Sequence, residues 1–575
     1  MRCDAYLAAA SAVAILASGA AQAQDEFQKP GTSIMAPETE DKGNGLSAPS
    51  PDQEYRSVPV PDRARIMDAL GVPDNPLNPY QQSTLKGDRP VFDDWYVEVS
   101  AISDTLYEPR TVPIPVSTVV ANQQEGNDQF GKPRQTFFVQ TLIPTFSIIK
   151  GDTTFMPPEF EFTVTPAVSF THLGVEELGV TDINPAKGSI RNSGFVGFQE
   201  AFIDYHIRNV SDRYDFDSIR IGIQPMNVDF RGFLFNDEQL GVRLFGDRAN
   251  NRFQYNIAYF RRIEKDTNSG FNDLSKDLRR DNIVIGNLFV QDLPIHGFTT
   301  EFSVVHNWNH ETGKHYDTNG FLVRPAQVGF QQPHDYSVTY LGLNGDGHFG
   351  RFNLDASFYY AIGSDSVNEI TGKAADIRAF EIALEPSVDI DYVRIRGSFF
   401  YASGSDPRSN TEGGFDAINQ NPLFAGSDSS YFIREGIPFI GGGGVQLTGP
   451  NSLLPDLRSS KDEGQSNFNN PGLILVGIGT DVDVLPELRV SADFNHLWFD
   501  NTKILEILRQ QAPIRNDLGW DLSTTVNYRP FDTQNVILRA SGAVLIPGDG
   551  FKDLFSSADA DKVYYSVVLS AILAY

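Results

Sequence analysis

The chain has 575 residues, a formal net charge of −28, a mean hydropathy of −0.27 and one cysteine. This acidity argues against a nucleic-acid partner. After the N-terminus, no stretch reaches the roughly 18 consecutive apolar residues that a membrane-spanning helix needs. Aromatic residues make up 12% of the chain, which is typical of membrane β-barrels with aromatic girdles.

Residues 1–23 predict a secretory signal peptide. Arg2 supplies its positive charge, Ala8–Leu16 form its apolar segment, and an A-x-A cleavage motif ends at Ala23. The mature chain is therefore expected to start at Gln24. Cys3 leaves with the signal, so the mature chain has no disulfide and no cysteine-based metal site.

Residues 24–90 are rich in Pro, Asp, Asn and Gln and predict an irregular periplasmic extension. One short segment, 62–70, has a helical pattern that Gly71 and Pro73 end.

From residue 91 to residue 575 the chain predicts an all-β fold, a transmembrane up-and-down antiparallel barrel of about 18 strands, with a range of 16–18. Segments of alternating polarity are separated by connections that are alternately short and long, which is the pattern of outer-membrane barrels. An even strand count places both termini in the periplasm. The predicted strands are 92–101, 136–149, 158–170, 194–208, 215–224, 239–246, 251–262, 281–292, 297–308, 334–344, 349–361, 375–387, 391–402, 471–482, 486–499, 516–528, 533–545 and 563–575.

The longest connection, at about 403–470, is predicted to fold into the barrel as a constriction or to cover its mouth. A second long connection carries a helical patch, Ile504–Leu508.

The last strand shows the expected lipid-facing side. Every second residue back from Tyr575, from Leu573 to Val563, is apolar. A terminal aromatic resembles the C-terminal signature of bacterial outer-membrane barrels, so Tyr575 is predicted to contact the barrel-insertion machinery. The alternative is the last strand of a soluble β-sandwich.

The polar side of each strand must face the lumen, because a charge in hydrocarbon is costly. A bore of this width is too large for side chains alone to fill, so the sequence predicts a water-filled channel. The charged residues on the predicted inner face are Arg220, Arg243, Arg252, Arg351, Arg394, Arg396, Arg489 and Arg539, with Glu161, Glu200, Asp204, Glu301, Asp355, Glu381, Glu385, Asp493 and Asp521.

Two interpretations of this wall stay open. The arginines could form a ladder for an anionic solute, since the guanidinium group binds carboxylates, phosphates and sugar oxygens with two hydrogen bonds. Alternatively, each arginine could pair with a wall carboxylate and stiffen the barrel.

Three adjacent segments, Gln199–Tyr205, Ser218–Gln224 and Gly241–Phe245, resemble the alginate-export family of outer-membrane porins. One position, Ile223, departs from the family pattern, which usually has Arg there. The resemblance implies an 18-stranded barrel with an arginine-rich lumen that passes an anionic polysaccharide. It also implies that the pore is lined by Glu200, Asp204, Arg220, Gln224 and Arg243.

No motif for catalysis is present: the chain has no GxSxG, P-loop or HExxH sequence. His306, His310 and His315 lie near one predicted outer loop and are expected to be solvated rather than to bind metal. The sequence therefore predicts no catalytic residue, no metal site and no cofactor.

These patterns predict an outer-membrane channel for passive passage of a hydrophilic solute, with an anionic or saccharide solute as the narrower hypothesis. Its other expected partners are outer-membrane lipid and lipopolysaccharide. The main alternative is a non-conducting barrel that binds a partner, a surface polysaccharide or a phage. An outer-membrane enzyme is the third hypothesis, which hydrolysis of lipid or peptide substrates would support.

Overall fold

The computed structural model describes residue 71 and residues 83–113, 133–151, 157–212, 215–440, 445–530, 535–555 and 563–575. The signal peptide and the helical segment 62–70 lie outside the described residues, so both stay predictions. The end of the predicted extension is described and runs beside the first strand, where Gly87 N donates to Val97 O at 3.0 Å.

Strands dominate the described chain. We number the barrel strands β1 to β18: Trp95–Thr111, Arg134–Lys150, Phe160–Val175, Ile190–Asn209, Phe216–Asn227, Asn236–Arg248, Phe253–Arg261, Asp281–Val290, Phe298–Asn309, Tyr336–Phe349, Phe352–Asp365, Ala375–Ile390, Val393–Ala402, Leu473–Leu485, Leu488–Trp498, Asp517–Tyr528, Val536–Pro547 and Tyr564–Ala574. Short strands lie in connections at His315–Tyr316, Leu322–Arg324 and Thr411–Glu412.

The sheet is a closed antiparallel barrel. Each long strand pairs with its neighbours in the chain, and β1 pairs with β18 from Ile102↔Ala574 to Arg110↔Ser566. Closure leaves the barrel without a free edge. The predicted fold class is confirmed, since every predicted strand overlaps one of the eighteen.

The connections alternate as the sequence predicts. One end of the barrel, which we call the short-turn end, carries 151–159, 210–215, 249–252, 291–297, 350–351, 391–392, 486–487 and 529–535. The opposite end, the long-loop end, carries the remaining connections. Asp391 has φ 54° in its two-residue turn, a left-handed conformation that Asp tolerates.

The outer face of the barrel is apolar. Phe352 is 65% exposed and Leu573 is 51% exposed, although both are large hydrophobic side chains. In β11, outward residues such as Phe352 alternate with inward Asp355 and Ser357, which are buried. Apolar surface of this extent is typical of contact with a membrane rather than with water.

The connection between β13 and β14 folds into the barrel. We call residues 403–472 the inward loop. Its residues 431–440 and 445–472 are buried without exception. Its aromatic side chains, such as Phe432 and Phe439, belong to the same apolar cluster as wall residues Ala383, Phe400 and Leu545. Of the two courses predicted for this connection, the structure has the inward one.

Helices are short and lie in connections. They are α1 Tyr431–Arg434, α2 Lys503–Arg509 and α3 Asp549–Leu554, with 3-10 turns at Pro185–Lys187 and Ser427–Ser429. Helix α2 contains the predicted helical patch. Within the described residues, no helix has the length and apolar character needed to cross a bilayer.

Candidate functional site

A buried quartet of charges fixes the inward loop to the wall. Arg434 of α1 donates to both carboxylate oxygens of Glu108 on β1, at 3.0 and 2.8 Å. Arg110 on the same strand lies 2.9 Å from Glu435. Each of the four side chains is at most 3% exposed. Two cations and two anions balance, which a water-poor site requires.

Asp521 of β16 holds the start of α1. Its carboxylate accepts hydrogen bonds from Ser430 Oγ at 2.6 Å and from the backbone N–H groups of Tyr431 and Phe432 at 3.2 and 2.7 Å. A carboxylate at this place satisfies amides that have no partner inside the helix. The predicted wall position of Asp521 is observed, but the inward loop covers it.

The tip of the inward loop, residues 423–430, meets the wall at β15 and β17. Arg539 binds both oxygens of Asp428 at 2.5 and 2.6 Å. Gly426 has φ 92°, and a Cβ there would lie 3.1 Å from the carboxylate of Asp493. Asn495 Nδ2 donates to Ala425 O at 2.9 Å. The tip therefore approaches the wall through backbone as well as through an ion pair.

Other predicted wall arginines pair with carboxylates nearer the short-turn end. Arg396 lies between Asp481 and Asp493, with 2.7 Å to the latter. Arg394 binds Asp389 at 2.5 Å, and Arg489 binds Asp483 at 2.6 Å. These contacts support the interpretation in which wall arginines pair with wall carboxylates.

A second connection also enters the barrel and supplies its own cation. Arg231, from the connection between β5 and β6, binds Asp355 at 2.8 Å and Glu385 at 3.4 Å. It also donates to Leu423 O of the inward loop at 2.9 Å. Asp355, a predicted wall residue, thus faces inward, and Arg231 links it to the inward loop.

The residues named by the family resemblance form one group on β4 to β6. Arg220 binds Asp204 at 2.8 Å and lies 4.2 Å from the ring centre of Phe202. Arg243 pairs in register with Arg220 and binds Asn256 at 2.6 Å. Within the described chain, Arg243 has no carboxylate at salt-bridge distance, which distinguishes it from Arg220.

The other two members of this group face inward as well. Glu200 accepts from Thr165 Oγ1 at 2.7 Å, beside a register shift at Thr165/Pro166. Gln224 is buried and donates to the backbone carbonyls of Gly241 and Arg220, at 3.1 and 3.2 Å. The structure brings all five residues together; their role as pore-lining residues stays a prediction.

Two residues that were predicted to lie on the barrel wall lie outside the strands. Arg252 and Arg351 lie in exposed turns at the short-turn end, because β7 begins at Phe253 and β11 at Phe352. Alternating polarity continues into a turn and does not mark where a strand begins.

Glu108 and Arg110, the two members of the quartet that lie on β1, were not identified from the sequence. That strand runs ten residues beyond its predicted end at 101, and its outward Ser103 and Thr105 are polar, so the apolar alternation fails there. The period-2 spacing of Asp104, Glu108 and Arg110 is the signal that could have found it.

The histidines of the predicted outer loop do not converge. His306 bonds Thr339 at 2.9 Å, His310 lies 3.5 Å from Asp335, and His315 lies 4.0 Å from Glu463. Burial lowers the pKa of His315 to about 4 and raises the pKa of Glu463 to about 8. Among the described residues, the His and carboxylate groups that do converge are His334, Asp365 and Glu369.

Comparison with known proteins finds likeness in structure only. No family model matches the chain, and a search of curated proteins finds no match. Among solved structures, the chain is similar to OccAB3 of Acinetobacter baumannii, with 11% identity over 83% of this chain and 99% of that one and a TM-score of 0.47. It is also similar to the outer membrane protein OpdK of Pseudomonas aeruginosa, with 12% identity over 83% and 98% and a TM-score of 0.45. OccAB4 of Acinetobacter baumannii has 13% identity over 87% and 100% and a TM-score of 0.44.

Proposed function

We propose that this protein is an outer-membrane channel whose inward loop narrows a wide bore to a selective passage for a hydrophilic solute. The observation that carries this proposal is a closed barrel that is apolar outside and lined by ion pairs inside, with loops folded into its lumen. An 18-stranded barrel encloses more space than its own side chains fill. In this proposal the long-loop end faces outward and both termini lie in the periplasm.

Several charged groups inside the barrel remain in contact with solvent. Arg539 is 24% exposed and Asp428 is 13% exposed, although both lie within the barrel. Arg220 and Glu161 are 19% and 21% exposed. Water reaching these groups supports an aqueous vestibule that extends from the short-turn end to the tip of the inward loop.

The narrower hypothesis, an anionic or saccharide solute, rests on Arg243. Its guanidinium lies 4.8 Å from the ring centre of Phe245 and beside Arg220. A carboxylate or sugar oxygen that enters this group would find a donor that has no described carboxylate at salt-bridge distance. The resemblance to alginate-export porins implies the same solute class.

Conductance of the purified protein in planar lipid bilayers tests the channel. We expect discrete conductance steps, and we expect Arg243→Gln to shift the reversal potential in a salt gradient toward cation selectivity. The matched control is Arg378→Gln, which removes the same charge from the outer face, where Arg378 is 60% exposed. A purified barrel that does not conduct would contradict the proposal.

The second candidate function is a non-conducting barrel that binds a surface partner. The continuous burial of 445–472 favours it, because such a segment resembles a plug. Ser405 N and Asn470 O are 2.8 Å apart, so residues 406–469 can be replaced by a short glycine linker. A channel is expected to show a higher conductance after this deletion, whereas a structural barrel is expected to show no conductance before or after it.

A further inference from the structure

A buried cluster at the long-loop end holds one imidazole and two carboxylates. His334 Nδ1 lies 2.9 Å from Asp365 Oδ1, and His334 Nε2 lies 3.6 Å from Glu369 Oε1. The candidate ligand atoms of these three residues all lie within 4.8 Å of one another. Each side chain is at most 4% exposed.

A third carboxylate adjoins this cluster. Asn469 Nδ2 donates to Glu369 Oε2 at 2.6 Å and to Glu412 Oε1 at 3.0 Å, so one amide holds both carboxylates. The other oxygen of Glu412, Oε2, is buried and has no hydrogen-bond partner in the described part of the chain. That oxygen is an acceptor for which the described residues supply no donor.

The charges of this cluster do not balance. Asp365, Glu369 and Glu412 carry three formal negative charges, and His334 is the cationic side chain found at salt-bridge distance from them among the described residues. Buried anions need a counter-charge or a metal ion. The quartet around Glu108 shows that this chain balances buried charges elsewhere with arginine.

We propose that His334, Asp365, Glu369 and Glu412 bind a divalent transition-metal ion of the Zn²⁺ class. Imidazole favours such ions, and carboxylates complete their coordination. His334 lies two residues before β10, Asp365 ends β11, and Glu412 lies in the inward loop together with Asn469. A bound ion would therefore join two barrel strands to both ends of the inward loop.

Titration calorimetry on chelator-treated protein in detergent tests the site with ZnCl₂ at neutral pH. We expect one equivalent to bind, Ca²⁺ to bind at least tenfold more weakly, and Zn²⁺ to raise the melting temperature. Glu369→Gln and His334→Gln are expected to weaken binding more than tenfold. Asn469→Ala, which removes a residue that orients two ligands, is expected to weaken it by about 10- to 100-fold.

The matched control is His310→Gln, because His310 also neighbours an aspartate at this end but is 56% exposed. It should leave affinity and stoichiometry unchanged. An anomalous diffraction peak from Zn²⁺ between His334 and Glu369 would locate the ion without any variant. The proposal would be overturned if Zn²⁺ did not bind, if Ca²⁺ bound with equal affinity, or if the diffraction peak lay elsewhere. A lack of Zn²⁺ binding would mean that protons neutralise these carboxylates instead.

Discussion

Replacing Arg434 with Met should release the inward loop from the wall. The change removes one cation from a buried, balanced quartet and leaves Glu108 with Arg110 at 3.6 Å, while Glu435 also depends on Arg110. Removing one partner of a buried ion pair costs about 3–5 kcal/mol. At about 1.4 kcal/mol per tenfold change, the ratio of docked to undocked loop should fall by roughly 10²- to 4 × 10³-fold. Limited proteolysis at the loop and single-channel conductance measure this release.

Two controls separate the quartet from a general loss of charge. Arg408→Met removes an arginine from the same loop where it is 73% exposed and paired with Asp406, so it should leave docking nearly unchanged because solvent screens an exposed ion pair. The double variant Glu108→Gln/Arg434→Met removes a cation and an anion together and should destabilise docking less than the single change. Equal protease resistance of Arg434→Met and the unmodified protein would refute the reasoning.

Three further outcomes are expected. Burial raises the pKa of Glu463 from 4.5 to about 8, so between these pH values the docked loop retains a proton that the undocked loop releases. Docking should therefore be strongest below pH 4.5 and should weaken as the pH rises to 8. Glu463→Gln should flatten this pH dependence, measured by limited proteolysis across the pH range. Arg539→Gln should alter conductance without raising protease sensitivity, since it frees Asp428 and Ser429 at the tip and leaves the contacts of α1 in place; cleavage within 445–472 would contradict this. Leu569→Arg, on the outer face, should cost about 2–4 kcal/mol if it lies near the bilayer midplane, measured as folding into lipid vesicles, whereas an unchanged folding yield would argue against lipid contact.

The alternation of polar and apolar residues was sufficient to predict the barrel. Each strand has one apolar and one polar face, so a period of two specifies both the strand and the side that faces lipid, as in β11 and β18. The same logic found the inward positions of Arg220, Arg396 and Asp521. The prediction from alternating polarity was wrong at two strand ends, because Arg252 and Arg351 belong to turns.

The contents of the lumen could not be predicted in this way. Arg231, Asp428 and Arg434 belong to connections, and a connection has no periodicity that reports its course. Their partners Asp355, Arg539 and Glu108 lie on the wall, more than 100 residues away in sequence. The converging group of His334, Asp365 and Glu369 was missed for a related reason, since the antiparallel pairing of β10 with β11, rather than a sequence motif, brings His334 close to Asp365.

The inward loop is stabilised by contacts of two kinds, and the difference bears on how the proposed channel would be regulated. Internally, Arg458 donates to Asp416 at 2.7 Å and to Ser466 at 2.7 Å, and it is 1% exposed. This network lies wholly within the loop and allows a polar segment to be buried as a folded unit. The contacts of α1 and the tip with the wall, by contrast, lie on β1, on β12 and on β15 to β17.

Arg220 and Arg243 lie on β5 and β6, away from the strands that α1 and the tip contact, although Asn419 of the loop bonds Asp237 where β6 begins at the long-loop end. In the proposed channel, the passage would therefore run between the tip and the wall of β4 to β6. A small movement of the tip would change its width while the network around Arg458 stays intact. Selectivity and loop stability are thus expected to depend on different residues, which is why the variants of Arg539 and Arg434 should differ in protease sensitivity.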